Sequence, residues 1–163
     1  MSNTDKNLMD AFAGESQANR KYLAFAQQAD KDGLAQVARL FRAVAEAETI
    51  HAHAHLAKAG KIRSTLENLQ DAKAGETHEY TNMYPAMVKE AKAEGRVAEE
   101  KYFDYANKVE AVHAKLYQKA IDANGKLPAT DYYICKVCGY THEGPADKCP
   151  ICGALAQAFF MAK

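Results

Sequence analysis

No run of apolar residues in this sequence approaches the ~18 needed to span a bilayer, and its opening "MSNTDKNLMD" lacks the basic-then-apolar profile of a signal peptide. Neither sign of charge is in excess, because 21 Lys and Arg face 21 Asp and Glu. Nucleic acid and anionic membranes reward a basic surface, so neither is expected as the main partner. A glycine-rich strand-to-helix turn of the nucleotide-binding kind is also missing. These absences point to a cytoplasmic protein, where four cysteines are expected as metal ligands rather than disulfides.

Proline and helix-stopping glycine are scarce up to residue 125. Pro85 is the single proline there, and before Gly95 the glycines placed to end a helix are Gly33, Gly60 and Gly75. The region is rich in Ala, Glu, Lys and Gln, a helical composition. Four helices are expected. The first starts near Thr4 or Asp5, whose side chains can cap it, and stops at Gly33. The others run from about Leu34 to Gly60, Glu76 to Gly95 and Arg96 to Gly125. Residues 61–75 read as a long crossover with room for a short helical piece. Four helices with one long middle connection match the ferritin-like type of bundle.

What is present changes character near Gly125–Pro128. Residues 126–163 hold all four cysteines, three of the four prolines and a Tyr/Phe-rich pattern suited to short strands. The expected fold is therefore mainly α, with a helical domain over 1–125 followed by a small β-rich metal-binding module over 126–163. The helical part also repeats itself: "AFAGES" (11–16) returns as "AKAGET" (72–77), "ADKDG" (29–33) as "AKAEG" (91–95), and "ETIHA" (48–52) as "EAVHA" (110–114). Offsets of 61, 62 and 62 in the same order describe a duplicated helix pair.

Ionisable residues fall on the apolar stripes of these helices. In the second helix Leu34, Val37, Phe41, Val44, Glu48, His51 and His55 follow one another at steps of three and four. In the fourth, Phe103, Ala106, Val109 or Glu110, His113 and Leu116 do the same, and in the first Glu15 lies between Ala11 and Ala18. Buried carboxylates without partners are too costly to keep ionised, so several converging in one core need cations. One Glu from each of two helices, with Glu-x-x-His from each of the other two, builds a dinuclear carboxylate site. The sequence supplies Glu15, Glu76, Glu48 with His51, and Glu110 with His113. Oxygen-dominated ligation with some imidazole suits iron or manganese. A single such Glu would be better read as a solvated surface residue; two Glu-x-x-His pairs at matching repeat positions are not. Glu46 has Thr49 three residues on and falls off the stripe, as does His53, while His55 sits a turn beyond His51 as a packed histidine.

"CKVCG" (135–139) and "CPICG" (149–153) place Cys135, Cys138, Cys149 and Cys152 in two knuckles. Such knuckles hold one tetrahedral metal, and a module this small is not expected to fold without it. Four thiolates accept zinc or iron alike.

Jointly "GESQANRKY", "EAETIH", "GETHEYTNMYP", "VEAVH" and the two knuckles resemble the rubrerythrin family, in which a ferritin-like diiron bundle precedes a rubredoxin-like domain. The resemblance covers essentially the whole chain; the spacer of ten between the knuckles is shorter than is usual there. It implies a non-haem peroxidase that reduces hydrogen peroxide to water in oxidative-stress defence, with electrons entering through an Fe(Cys)4 centre. It further implies that Glu48 and Glu110 bridge two irons, that Glu15 and Glu76 are terminal ligands, and that His113 holds one iron. The other iron exchanges Glu79 for His51 on reduction, and Tyr22 and Tyr84 supply hydrogen bonds. Electrons are expected from a separate NAD(P)H-linked reductase or a rubredoxin. A homodimer is implied, with the cysteine module of one chain facing the other chain's diiron site. Ferritin-like iron oxidation and storage, dioxygen reduction, or a zinc-ribbon protein without catalysis are the competing readings.

One detail belongs to the repeat itself. Glu15 to Tyr22 is seven residues, whereas Glu76 to Tyr84 is eight. One extra residue in a helix is absorbed by a wide π turn, and Pro85 lacks the donor a regular helix would use there. A bulge between Glu76 and Tyr84 is expected, aiming Glu79 at the metals.

Overall fold

A computed structural model describes residues 2–162. It comprises two compact units that divide between Arg63 and Ser64.

The first unit is a helical hairpin. Helix α1 (Asn3–Lys31) opens on a capping box in which Ser2 Oγ accepts the Asp5 N–H at 3.1 Å and the Asp5 carboxylate accepts the Ser2 N–H at 2.9 Å. The cap is thus Ser2, not Thr4 or Asp5. After Gly33, at φ 74°, the Leu34 N–H closes back onto the Ala29 carbonyl, and α2 (Ala35–Lys58) returns antiparallel. Asn19 Nδ2 donates to the Ala45 carbonyl at 2.7 Å and to Thr49 Oγ1 at 2.8 Å, and Asp30 pairs with Arg42 near the turn. The hairpin's buried residues are alanines: Ala26, Ala29, Ala38, Ala45 and Ala52. Small residues bring the helices close, while Phe25, Val37 and Leu40 remain 48%, 40% and 61% exposed.

In the second unit α3 (Thr65–His78) passes through a π-helical turn (Glu79–Met83) into α4 (Tyr84–Ala93), and α5 (Val97–Asp122) runs back along them. The long crossover over 61–75 does not exist. A second capping box, Ser64 with Glu67, starts α3 at Thr65, so the non-helical connection is residues 59–64. Gly75 sits inside α3 and stops nothing; a helix-interior glycine costs about 1 kcal/mol relative to alanine but is tolerated where packing holds the helix. The turn into α5 copies the first one, with Gly95 at φ 70° and the Arg96 N–H on the Ala91 carbonyl. The sequence duplication therefore extends to backbone hydrogen bonds.

Three short strands follow, β1 (Tyr132–Cys135), β2 (Thr141–Glu143) and β3 (Phe159–Met161), in antiparallel order β2-β1-β3. This sheet packs on α5 of its own chain through Val109, which is 1% exposed and clustered with Cys135, Cys138 and Cys149. The fold is mainly α with a small cysteine-bearing sheet, as predicted. Among the described residues no helix is long and apolar enough to cross a membrane.

Candidate metal centres

Each unit carries one acidic cluster with a histidine. In the hairpin, ligand atoms of Glu15, Glu48 and His51 lie within 4.8 Å of one another, and in the second unit those of Glu76, Glu110 and His113 do the same. His51 Nδ1 is 2.9 Å from Glu48 Oε2 and 4.0 Å from Glu15 Oε1. His113 Nδ1 is 2.8 Å from Glu110 Oε2 and 3.5 Å from Glu76 Oε2. The Glu-x-x-His spacing places both side chains on one helical face, and the facing helix adds the third ligand. The same nitrogen meets the same pair of carboxylates in both halves.

The second cluster is the drier. Burial first, then Glu76 and Glu79, push the Glu110 carboxyl up to about 7 against the opposing pull of His113. Thr141, which no motif marks, explains the histidine. Its Oγ1 donates to the Gly139 carbonyl at 3.3 Å and lies 3.1 Å from His113 Nε2. A hydroxyl has one proton to donate, so Nε2–H is the donor to Thr141. The Nδ1 lone pair of a neutral His113 then faces two carboxylates, an arrangement that a cation between them makes favourable. The donor set fits iron or manganese.

Glu79 lies outside the 4.8 Å cluster. Its carboxyl is held up first by burial and next by Glu76, while His113 acts in the opposite direction. The expected bulge is present: the Tyr84 N–H donates to the Glu79 carbonyl, five residues back, across the π turn. The Tyr84 phenol is held protonated by burial, then by Glu110 and Glu79. Its ring is 6.3 Å from Phe103, and its repeat counterpart Tyr22 is 6.2 Å from Phe41. Glu46 and His53 are exposed, and the half-buried His55 has an Nδ1 with no partner among the described residues. A cavity of about 480 Å³ lined by Glu76, His113, Tyr117, Tyr132 and Thr141 opens onto the second cluster.

The four cysteines form the third site. All four sulfurs lie within 4.8 Å of one another, with Cys135–Cys152 at 3.7 Å and Cys138–Cys149 at 3.5 Å. A tetrahedron with metal–sulfur bonds of about 2.3 Å has edges of about 3.8 Å, so these thiols already stand at ligand spacing. Gly139 and Gly153, at φ 83° and 78°, let each knuckle turn back. Their N–H groups then bond to the Cys135 and Cys149 carbonyls at 2.8 and 3.0 Å. Peptide N–H groups of Tyr140 and Ala154 reach the Cys138 and Cys152 sulfurs. Burial would raise the Cys149 thiol, but the N–H groups of Cys152 and Ile151 and the neighbouring thiols bring it below its usual range. Burial dominates at Cys138, whose thiol is pushed up. A thiolate-binding metal removes that cost.

Duplicated Glu and Glu-x-x-His ligands on ferritin-like helices, joined to a four-cysteine module, define a diiron carboxylate protein with a rubredoxin-like domain. The rubrerythrin family profile matches residues 6–121, and the profile of the rubrerythrin rubredoxin-like domain matches 133–160. Rubrerythrin-2 of Clostridium acetobutylicum is 35% identical, covering 93% of this chain and 92% of its own. Nigerythrin of Nitratidesulfovibrio vulgaris is 36% identical over 91% and 81%. A solved structure of nigerythrin in its fully reduced, all-ferrous state aligns at TM-score 0.60 with 34% identity, covering 99% of this chain and 88% of that one. The chain belongs to the rubrerythrin family. It carries the residues of the diiron carboxylate site and of the four-cysteine site.

Proposed function

We propose that the protein is a peroxidase that reduces hydrogen peroxide to two waters, consuming two electrons that enter through the four-cysteine module and two protons. The observation that carries this reading is the position of His113. Its Nδ1 faces Glu110 and Glu76, and its Nε2 is bonded to Thr141, three residues beyond Cys138. One imidazole thus joins the carboxylate cluster to the cysteine module, a link that suits a redox relay and that a storage shell has no use for. Bound in these sites, a pair of irons supplies two electrons to one O–O bond, and an iron held by four thiolates passes electrons singly.

The chain's own groups divide the remaining work. Glu48 and Glu110 would hold the metal pair together, with Glu15 and Glu76 as further carboxylate ligands and His51 and His113 as the nitrogen ligands. His51 is 56% exposed against 24% for His113, which Thr141 fixes in place. That contrast supports His51 as the ligand released in exchange for Glu79. Glu79 and Tyr84 both keep their protons readily because burial disfavours their charged forms. They are the groups placed to give hydrogen bonds and protons to a bound peroxide. Tyr22 holds the matching place in the other half, its ring 6.2 Å from Phe41. A rubredoxin or a separate NAD(P)H-linked reductase supplies electrons. Relatives named rubrerythrin, and an all-ferrous nigerythrin structure, support iron as the metal.

The test is anaerobic purification with metal analysis and absorption spectroscopy. A red four-thiolate iron that bleaches on reduction, and that peroxide reoxidises faster than dioxygen, is the expected result. Colourless, zinc-filled cysteines would remove the electron route, and faster reoxidation by dioxygen would establish an oxidase instead.

A further inference from the structure

Strand β2 is an edge of its sheet, paired with β1 alone through Ile134–Thr141, Tyr133–His142 and Tyr132–Glu143. A three-residue edge strand with one ladder has few contacts to fix its position. Among the described residues two side-chain bonds tie it to α5. One is His113 with Thr141 at 3.1 Å. The other is Lys119 with Glu143, whose two carboxylate oxygens accept from Nζ at 2.8 and 2.7 Å.

The two bonds are in step along both elements. Thr141 and Glu143 are alternate residues, so they share one face of β2 and stand about 7 Å apart along it. His113 and Lys119 are six residues apart, about 9 Å along α5. Val109, four residues before His113, packs against the knuckle that precedes β2. The three contacts differ in kind. Apolar packing at Val109 is non-directional and leaves the strand able to slide along the helix. The Thr141 hydroxyl is a rotor with a single bond to the imidazole. The ammonium held by two oxygens is the contact that fixes register. Lys119 also lies in the last turn of α5, where a cation is favoured, and the neighbouring Asp122 carboxylate is engaged by Gln118 at 2.6 Å.

We propose that Lys119 and Glu143 are positioning residues: their ion pair sets the register of β2 along α5, and thereby holds Thr141 against His113. The proposal rests on the reading of His113 as a metal ligand joined to the cysteine module. Lys119 and Glu143 are 50% and 31% exposed, so the pair is open to salt. The orientation of His113, and with it the link between the two centres, becomes sensitive to ionic strength.

The test is a double-mutant cycle on the full-length chain with its cysteine site loaded. Ferrous iron is titrated anaerobically into the carboxylate site of wild type, Lys119→Met, Thr141→Val and the double variant. Lys119→Met should weaken binding about two- to fivefold, the range of an exposed pair. Lys119→Arg should retain wild-type affinity, and the gap between wild type and Lys119→Met should close in 1 M salt. In the Thr141→Val background Lys119→Met should have no further effect, because no bond is left to place. Equal losses in both backgrounds overturn the proposal, since Lys119 would then act on the helix alone, and so does the absence of any loss. If the wild-type carboxylates bind no iron, the reading of the site fails instead. The proposal is then judged on the His113–Thr141 bond by proton NMR of the Nε2–H. Exchange with water about two- to fivefold faster in Lys119→Met, and unchanged in Lys119→Arg, upholds it; equal exchange in Lys119→Met and wild type overturns it.

Discussion

His113 Nε2 donates to Thr141 Oγ1 across 3.1 Å, joining helix α5 to strand β2 of the cysteine module. Thr141→Val removes the acceptor at nearly constant volume. Outer partners of a metal-binding histidine are worth roughly 10–100-fold in metal affinity. A loss in that range at the carboxylate site, with Thr141→Ser close to wild type, is expected in a metal titration followed by absorbance. An unchanged affinity would mean that the bond does not orient His113.

Glu110 gives the metal-free protein a distinctive pH dependence. Burial holds its folded carboxyl up at about 7, above the ordinary 4.5 of a glutamate, so between these values the folded chain binds more protons than the unfolded one. Stability of the metal-free protein should therefore fall as pH rises from about 4.5 to 7. Urea unfolding at several pH values tests this, and Glu110→Gln should flatten the slope. With metal present the sign reverses, because the ligand must lose its proton to bind. Affinity then climbs with pH through the same window, with proton release measurable by calorimetry in two buffers.

Val109 is the apolar anchor between α5 and the cysteine knuckles, at 1% exposed. Val109→Ala removes two methyl groups and leaves a cavity, costing on the order of 2 kcal/mol. Thermal unfolding should show that loss, and limited proteolysis should cut residues 126–131 faster while the helices persist.

Gly139→Ala isolates backbone conformation from packing. An added Cβ would meet Val109 Cγ1 at 3.9 Å, an ordinary contact, but the φ of 83° is strained for any L side chain. A penalty of about 1–2 kcal/mol is expected, together with a shifted potential of the thiolate-bound metal measured by spectroelectrochemistry. Gly153, at φ 78°, should behave alike.

Removing Thr81 from the π turn should restore regular hydrogen bonding through 76–84 and turn Glu79 away from His113. Because the turn absorbs one residue, Glu76 and the helix after Tyr84 keep their places. Metal should still bind, while peroxide turnover falls by at least tenfold if Glu79 supplies protons or a ligand. Equal turnover would remove Glu79 from the mechanism.

What the sequence made legible was local or repeated. Glu48 with His51, and Glu110 with His113, sit three apart on helical stripes, and the duplication pointed to Glu15 and Glu76 across from them. The π turn followed from counting eight residues where the other half has seven. The start of α3 was misjudged because Gly75 resembled a stop signal, although "STLE" at 64–67 is a capping box in plain view. Thr141 had no such signal. Its contact with His113 spans 28 residues and depends on how the module packs against α5, which no helical or strand period encodes.

The π turn has a consequence for how such a protein can arise. Duplication of a hairpin yields two equal halves, and equal halves favour equal metals. A point mutation that distinguishes them must sacrifice an inherited group. One inserted codon between positions 79 and 83 re-aims the Glu79 carboxylate on one side only, and the wide turn confines the disturbance to a few residues. Asymmetry is thereby gained without loss, and its record survives as the step from offset 61 to 62 in the sequence.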